Sequence, residues 1–242
     1  MLDLSVPKVP FDIALPYGLS VTVRPLTTAG MTAAQAAAKR AVEAIDRQAR
    51  ERTEAGLALD GLPDLYAEGE RDGFYRAQLI REQLLMMREW LRPLGVPLTA
   101  DVFGLTTSDT TDMGIGQRWE DFIDAVDVVL PMTYPSHYAP GSYGIAAPNA
   151  RPYQVIDRAL EDAKRRSSGI PGAAKIIPWY QDFTLGPPRY GAEQIRAQIQ
   201  AGEDNGFPDW ILWNPGSRYT EGALRVDVES GGRGSGVEGR GN

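Results

Sequence analysis

The composition of this chain limits the chemistry that it can carry. The chain has 242 residues, of which 43% are apolar and 24% charged, the balance of a globular rather than a disordered protein. Its net charge of −7 argues against a nucleic-acid partner, and no apolar run is long enough for a membrane span. There are no cysteines and one histidine, His137, so we expect no disulfide, metal ion or cofactor. Residues 1–20 show no signal peptide, so the chain as it stands is expected to be cytoplasmic.

The first part of the chain, residues 1–92, is predicted to be mostly helical. A short strand is predicted over 19–24, and an alanine-rich, charged helix over 31–54. A second helix is predicted over 68–91, where Pro93 ends it. We therefore predict an N-terminal segment with at most one or two strands.

From residue 93 onward, apolar strands alternate with amphipathic helices. The strand candidates are 98–105, 126–134, 174–180 and 210–214. The helices between them are predicted over 116–125, 153–166 and 192–204. Continuous apolar strands separated by helices indicate βαβ units and a parallel sheet, so we predict an α/β unit over 93–224. The last residues, 225–242, have no periodicity and are predicted to be disordered.

Polar and aromatic side chains are concentrated at the predicted strands and at their ends, where parallel α/β folds place their functional groups. The candidates are Asp101, Tyr134, His137, Trp179, Gln181, Asp182, Trp213 and Asn214. Such a mixture suits a saccharide, because its C–H faces pack on aromatic rings while its hydroxyls form hydrogen bonds with amides and carboxylates.

Five of these candidates also have a structural alternative. Asp101 could belong to a buried ion pair, and Asp182 could cap the loop that follows it. Trp179 and Trp213 could be core residues, and His137 could be a structural hydrogen-bonding group. The residues alone leave these alternatives open.

Residues 91–220 resemble the C-terminal half of a bacterial family of predicted glycoside hydrolases with (β/α)8 barrels. The matching strings are PLTADVFG at 97–104, DMGIGQ at 112–117, PMTYPSHY at 131–138, PWYQDF at 178–183 and ILWNPGSRYT at 211–220. The resemblance implies that the four strands are the last four of a barrel. It also implies that the eight candidate residues line its C-terminal face, and that relatives are exported.

The chain departs from this family in one respect. The family's preceding strand ends in an FDYIRFP-like string, whose Asp and Arg are implied to be central to the active site, and no such string occurs here. Residues 1–85 are instead diffusely similar to small phage tail-assembly proteins.

We therefore predict a partial TIM-type (β/α) barrel with a mostly helical N-terminal segment. Its open edges would favour a homodimer.

The resemblance implies a glycoside hydrolase-like protein that acts on or binds an oligo- or polysaccharide, with Asp101 and Asp182 as the carboxyl pair and Asp101 deepest in the site. The other six candidates would bind substrate. Because half of the barrel is missing, we expect activity to be weak or absent; the alternatives are a non-catalytic carbohydrate-binding protein and a phage-derived structural or assembly protein.

Overall fold

A computed structural model describes residues 11–14, 20–23, 28–65, 67 and 69–224. Its strands are β1 Phe11–Ala14, β2 Ser20–Val23, β3 Thr99–Phe103, β4 Val128–Met132, β5 Lys175–Ile176, β6 Trp179–Gln181 and β7 Ile211–Trp213. Its helices are α1 Thr28–Glu54, α2 Glu70–Leu91, α3 Trp119–Phe122, α4 Pro152–Ser167 and α5 Ala192–Asp204. This order confirms an α/β fold with a mainly helical N-terminal segment.

Strands β3 to β7 form one parallel sheet in the order β3-β4-β6-β7, and β5 also pairs with β4. In the register of the sheet, Phe103 lies opposite Met132, Met132 opposite Trp179, and Trp179 opposite Ile211. Strands that follow each other in the chain are thus neighbours, as in consecutive βα units. Within the described ranges no strand pairs with the outer edge of β3 or of β7, so the sheet is open there.

The structure divides one predicted strand in two. The predicted span 174–180 covers β5 and most of β6, which are separated at Pro178, and β6 extends one residue further, to Gln181. The Ile177 N–H still donates to the Val129 carbonyl at 3.0 Å, but Pro178 has no N–H to continue the ladder. The other three strands lie within their predicted spans.

Of the three helices predicted within 93–224, two agree closely with the structure and one is shorter. Helix α5 has the predicted bounds, and α4 extends one residue further at each end. Helix α3 is reduced to four residues. The residues just before α3 form a loop instead of a helix because the Asp112 carboxylate accepts the N–H groups of Gly114 and Gly116, at 3.1 and 2.9 Å.

The main core lies between one face of the sheet and the helices. Helix α4 repeats small and branched apolar residues along one stripe, which is why it buries that stripe against the sheet. The strand residues in this core are Val102, Val129, Ile176, Tyr180 and Leu212, and the helix residues include Phe122, Ile156, Leu160, Ala163, Ile195 and Ala201.

The opposite face of the sheet has no helix on it in the described part of the chain. Side chains alternate along a strand, so the neighbours of the core residues point to this side. We call this surface the open face; it comprises Asp101, Phe103, Leu130, Met132, Trp179, Gln181, Ile211 and Trp213. Leu130 and Gln181 are buried, whereas Phe103 is 51% and Trp213 43% exposed.

Three Arg–Asp ion pairs attach helix α2 to the α/β unit. Arg76 binds Asp112 at 2.8 Å, and Arg88 binds Asp127 at 2.6 Å. Between them, Arg81 pairs with Asp124 through both guanidinium nitrogens. The division predicted at residue 92 stays a prediction, and these pairs cross it.

The N-terminal segment contributes no strand to the parallel sheet within the described ranges. Strands β1 and β2 form a separate antiparallel pair, in which Phe11 lies opposite Val23. Strand β2 lies within the predicted span 19–24, whereas β1 was not predicted.

The predicted disordered tail, 225–242, lies outside the described residues. Among the helices that the structure describes, none is both long and apolar enough to cross a membrane.

Candidate functional site

An exposed carboxylate and two indole rings meet on the open face. The Trp179 Nε1–H donates to Asp101 Oδ1 at 2.7 Å, and within the described ranges this is the hydrogen bond that Asp101 makes. The Trp179 ring packs edge-to-face with the Trp213 ring at a centroid distance of 5.9 Å. The sequence predicted Asp101 as the deepest acidic group, but in the structure it is exposed.

Tyr134 lies beside this group at the end of β4. Burial raises the pKa of its hydroxyl well above the usual value, and the negative charge of Asp101 and then the nearby Tyr219 raise it further. The Tyr134 hydroxyl therefore stays protonated at neutral pH and can donate a hydrogen bond. Tyr219 is 46% exposed. Sequence reasoning did not select Tyr219 as a site residue, although it belongs to the string 211–220.

His137 belongs to an aromatic cluster next to Tyr134. Its ring centroid lies 5.3 Å from that of Tyr134 and 6.2 Å from that of Phe183. Its Nδ1 is 3.3 Å from the Ser136 hydroxyl. The residue is exposed overall, but partial burial of its ring lowers the pKa of the His137 imidazole, so the ring is neutral at pH 7. A neutral imidazole at this exposed position can exchange hydrogen bonds with a hydroxyl.

Both carboxylate oxygens of Asp182 accept hydrogen bonds from within the protein. It is 4% exposed. One carboxylate oxygen accepts the Thr220 backbone N–H at 2.7 Å, and the other accepts the Thr220 hydroxyl at 2.7 Å. We call this arrangement the Asp182–Thr220 clamp; it fixes the loop after β7, which carries Tyr219.

The side-chain amides of Gln181 and Asn214 also form hydrogen bonds within the protein. Gln181 is fully buried; its Oε1 accepts the Ser136 N–H at 3.1 Å and its Nε2 donates to the Phe183 carbonyl at 2.9 Å. Asn214 donates to the Asp182 carbonyl and accepts the Gly216 N–H at 2.8 Å. Both amides shape the loops around the open face.

The eight candidates thus fall into two groups. Trp179 contacts both Asp101 and Trp213, and Tyr134 and His137 lie beside them. Gln181, Asp182 and Asn214 form the supporting layer. In the part of the chain that the structure describes, no three His, Asp or Glu side chains are placed to hold a metal ion.

Comparison with known proteins gives one family match. A family model described as "putative glycosyl hydrolase domain" matches residues 37–219. The match is longer than the span 91–220 on which the sequence resemblance was recognised, and it begins inside α1. No curated protein matches the chain.

Two solved structures show weak similarity to this chain. The PgaB (BpsB) glycoside hydrolase domain from Bordetella bronchiseptica is 15% identical, with a TM-score of 0.40. That match covers 57% of this chain and 39% of the other, so the chain spans less than half of that protein's length. Bee venom hyaluronidase, solved with a hyaluronic acid tetramer, is 14% identical with a TM-score of 0.43, and the match covers 85% of this chain and 75% of the other.

Proposed function

This chain belongs to the family described as "putative glycosyl hydrolase domain", and from that premise we propose that it binds an oligo- or polysaccharide on its open face. The proposed binding surface consists of Asp101, Tyr134, Trp179, Trp213 and Tyr219, and we call it the saccharide cluster. The observation that carries the proposal is that the Trp179 indole donates a hydrogen bond to the exposed carboxylate of Asp101 and packs against a second indole ring, that of Trp213.

The chemistry of the saccharide cluster fits a sugar ring. The exposed side of Trp213 offers an apolar surface on which the C–H face of a sugar can pack. Asp101 accepts hydrogen bonds from sugar hydroxyls, and Tyr134 donates one because its hydroxyl stays protonated. His137 adds a neutral hydrogen-bonding group at the rim.

For hydrolysis we propose Asp101 as the reacting carboxylate. Glycoside cleavage generally uses two carboxyl groups, about 5–5.5 Å apart for retention and roughly 6.5–9.5 Å apart for inversion. The sequence predicted Asp182 as the second carboxyl group, but its hydrogen bonds to Thr220 favour a positioning role instead. With a single free carboxylate in the saccharide cluster, we expect binding to be retained better than turnover.

A non-catalytic carbohydrate-binding protein is the second candidate function. The Asp182–Thr220 clamp favours it, because the clamp removes one of the two predicted carboxyl groups from contact with a ligand. A binding protein needs the aromatic surface but not an acid–base pair. Chromogenic glycosides distinguish the two functions, since only the first predicts any turnover.

The binding proposal is tested by titrating immobilised and soluble polysaccharides against Trp213→Ala. Trp90→Ala is the matched control, because Trp90 lies on α2 and is 47% exposed. Trp213→Ala should weaken binding while the melting temperature falls by less than about 8 °C, the range for a modest loss of stability. Equal binding by both variants, or no binding by the unmodified chain to any polysaccharide, would contradict the proposal.

A further inference from the structure

The open face presents apolar side chains to water. Phe103 is 51% exposed and Trp213 43% exposed, and Met132, Trp179 and Ile211 are each partly exposed between them. Isolated exposed apolar residues are ordinary, but a contiguous apolar sheet face indicates a surface that another polypeptide covers.

The two edges of the sheet are complementary to each other. Strands β3 and β7 run parallel at opposite ends of the order β3-β4-β6-β7, and neither has a further partner among the described strands. Unpaired strand edges favour pairing with another chain. Four strand positions are half of the eight that close a (β/α) barrel.

We propose that two copies of this chain associate through the open face and close an eight-stranded parallel barrel between them. A single twofold axis along the barrel places β3 of each copy beside β7 of the other, so one operation satisfies both edges. A second copy fits because its two strand edges can pair with those of the first copy and its apolar face can cover that of the first copy.

The charge distribution supports this occupant. The chain carries a net charge of −7, which opposes self-association in general. Strands β3, β4, β6 and β7 nevertheless contain one charged residue, Asp101, so the surfaces that meet are almost free of like charges. Asp101 is the middle residue of β3 and accepts a hydrogen bond from Trp179, so in the closed barrel it would face the interior, below the opening at the strand ends.

Sedimentation equilibrium across the micromolar range tests the proposal without any saccharide, so its outcome is independent of the proposed function. The unmodified chain should sediment as a dimer. Phe103→Lys should raise the dimer dissociation constant roughly tenfold or more, as for an interface anchor. Leu57→Lys is the control, because Leu57 is 61% exposed in the loop after α1 and should leave the dimer unchanged. Circular dichroism checks that both variants are folded.

Cross-linking then tests the edge pairing. The chain has no cysteine, so Thr99→Cys places a single thiol at the start of β3 and Asp209→Cys places one two residues before β7. Within one copy these strands are three strand spacings apart, roughly 14 Å, so a shorter bismaleimide joins them between copies only. The double variant should yield a covalent dimer. A chain that is monomeric at every concentration, or a dimer that Phe103→Lys does not weaken, would overturn the proposal.

Discussion

The Trp179 indole donates a 2.7 Å hydrogen bond to Asp101 across the sheet, although their strands are not neighbours. Strand β4 lies between β3 and β6, so this bond passes over β4 and fixes one carboxylate oxygen of Asp101. The other carboxylate oxygen has no hydrogen-bond partner among the described residues. The same indole packs against Trp213, so one side chain positions both the carboxylate and the second aromatic ring.

Trp179→Phe removes the hydrogen bond to Asp101 and keeps an aromatic ring. We expect saccharide affinity to fall about fivefold, equivalent to roughly 1 kcal/mol for one lost hydrogen bond. Isothermal titration calorimetry measures this change. Trp210→Phe is the matched control, because Trp210 stacks on Tyr180 at 6.4 Å and packs against the core. A loss of affinity in the control but not in Trp179→Phe would contradict the assigned role.

The Asp182–Thr220 clamp predicts a loss of stability rather than a purely catalytic defect. Asp182→Asn removes the charge from a buried carboxylate that accepts two hydrogen bonds, so the free energy of unfolding should fall by about 1–3 kcal/mol. Thr220→Val removes one of the donors. Urea denaturation of both single variants and the double variant should give a coupling energy of roughly 0.5 kcal/mol or more, as for residues in contact.

The alternative role of Asp182, as a reacting carboxylate, predicts a different result. If Asp182 acts as a reacting carboxylate, Asp182→Asn should abolish turnover and leave the unfolding curve unchanged, with no coupling to Thr220→Val. Asp101→Asn provides the comparison within the same chain, because Asp101 is exposed and makes one hydrogen bond in the described structure. We expect it to reduce binding with little effect on stability.

The attachment of α2 should weaken in acid. The Arg81 guanidinium beside Asp124 lowers the pKa of that carboxyl, and the Leu98 N–H together with Arg88 lowers the pKa of Asp127. A carboxyl whose pKa is lower in the folded chain adds stability above its unfolded pKa, near 3.9, and this stability is lost as the pH falls through the folded pKa. Asp121, whose pKa is raised by burial, acts in the opposite direction.

Urea denaturation at several pH values between 7 and about 3 measures this dependence. The unmodified chain should lose stability as the pH falls below about 5, and Asp124→Asn should flatten this dependence. Arg81→Met should have the same effect, because it removes the other member of the pair. If both variants keep the full acid dependence of the unmodified chain, the Arg81–Asp124 pair is not its source.

Local sequence patterns were sufficient for most of the helices and strands but not for the exposure and hydrogen bonding of the site residues. The apolar stripe of α4 and the bounds of α5 follow from periodicity, because both helices bury one face on the sheet. Asp101 was recognised as a carboxylate in an apolar strand, but its exposure depends on what covers the open face. Asp182 was recognised as a strand-end carboxylate, but its partner Thr220 lies 38 residues away, beyond any local pattern.

The last prediction concerns turnover by this chain. Acid–base cleavage requires two carboxyl groups at a fixed separation, and a positional error of about 1 Å already costs about 100-fold in rate. The saccharide cluster contains one carboxylate, Asp101, and it is exposed to water, whereas a site that excludes water strengthens the electrostatic interactions of acid–base catalysis. We therefore expect initial rates on chromogenic glycosides far below about 1 s⁻¹, the lower end of typical enzymes.

Asp101→Asn and Asp182→Asn are measured in the same assay. If Asp101 alone reacts, any residual rate should disappear in Asp101→Asn, whereas Asp182→Asn should retain it once the rate is corrected for the folded fraction. Polysaccharide binding should persist in the unmodified chain, because packing a sugar on Trp213 tolerates errors of position that acid–base chemistry does not. Turnover of about 1 s⁻¹ or more that either substitution abolishes would show that Asp101 and Asp182 form a competent pair without further residues.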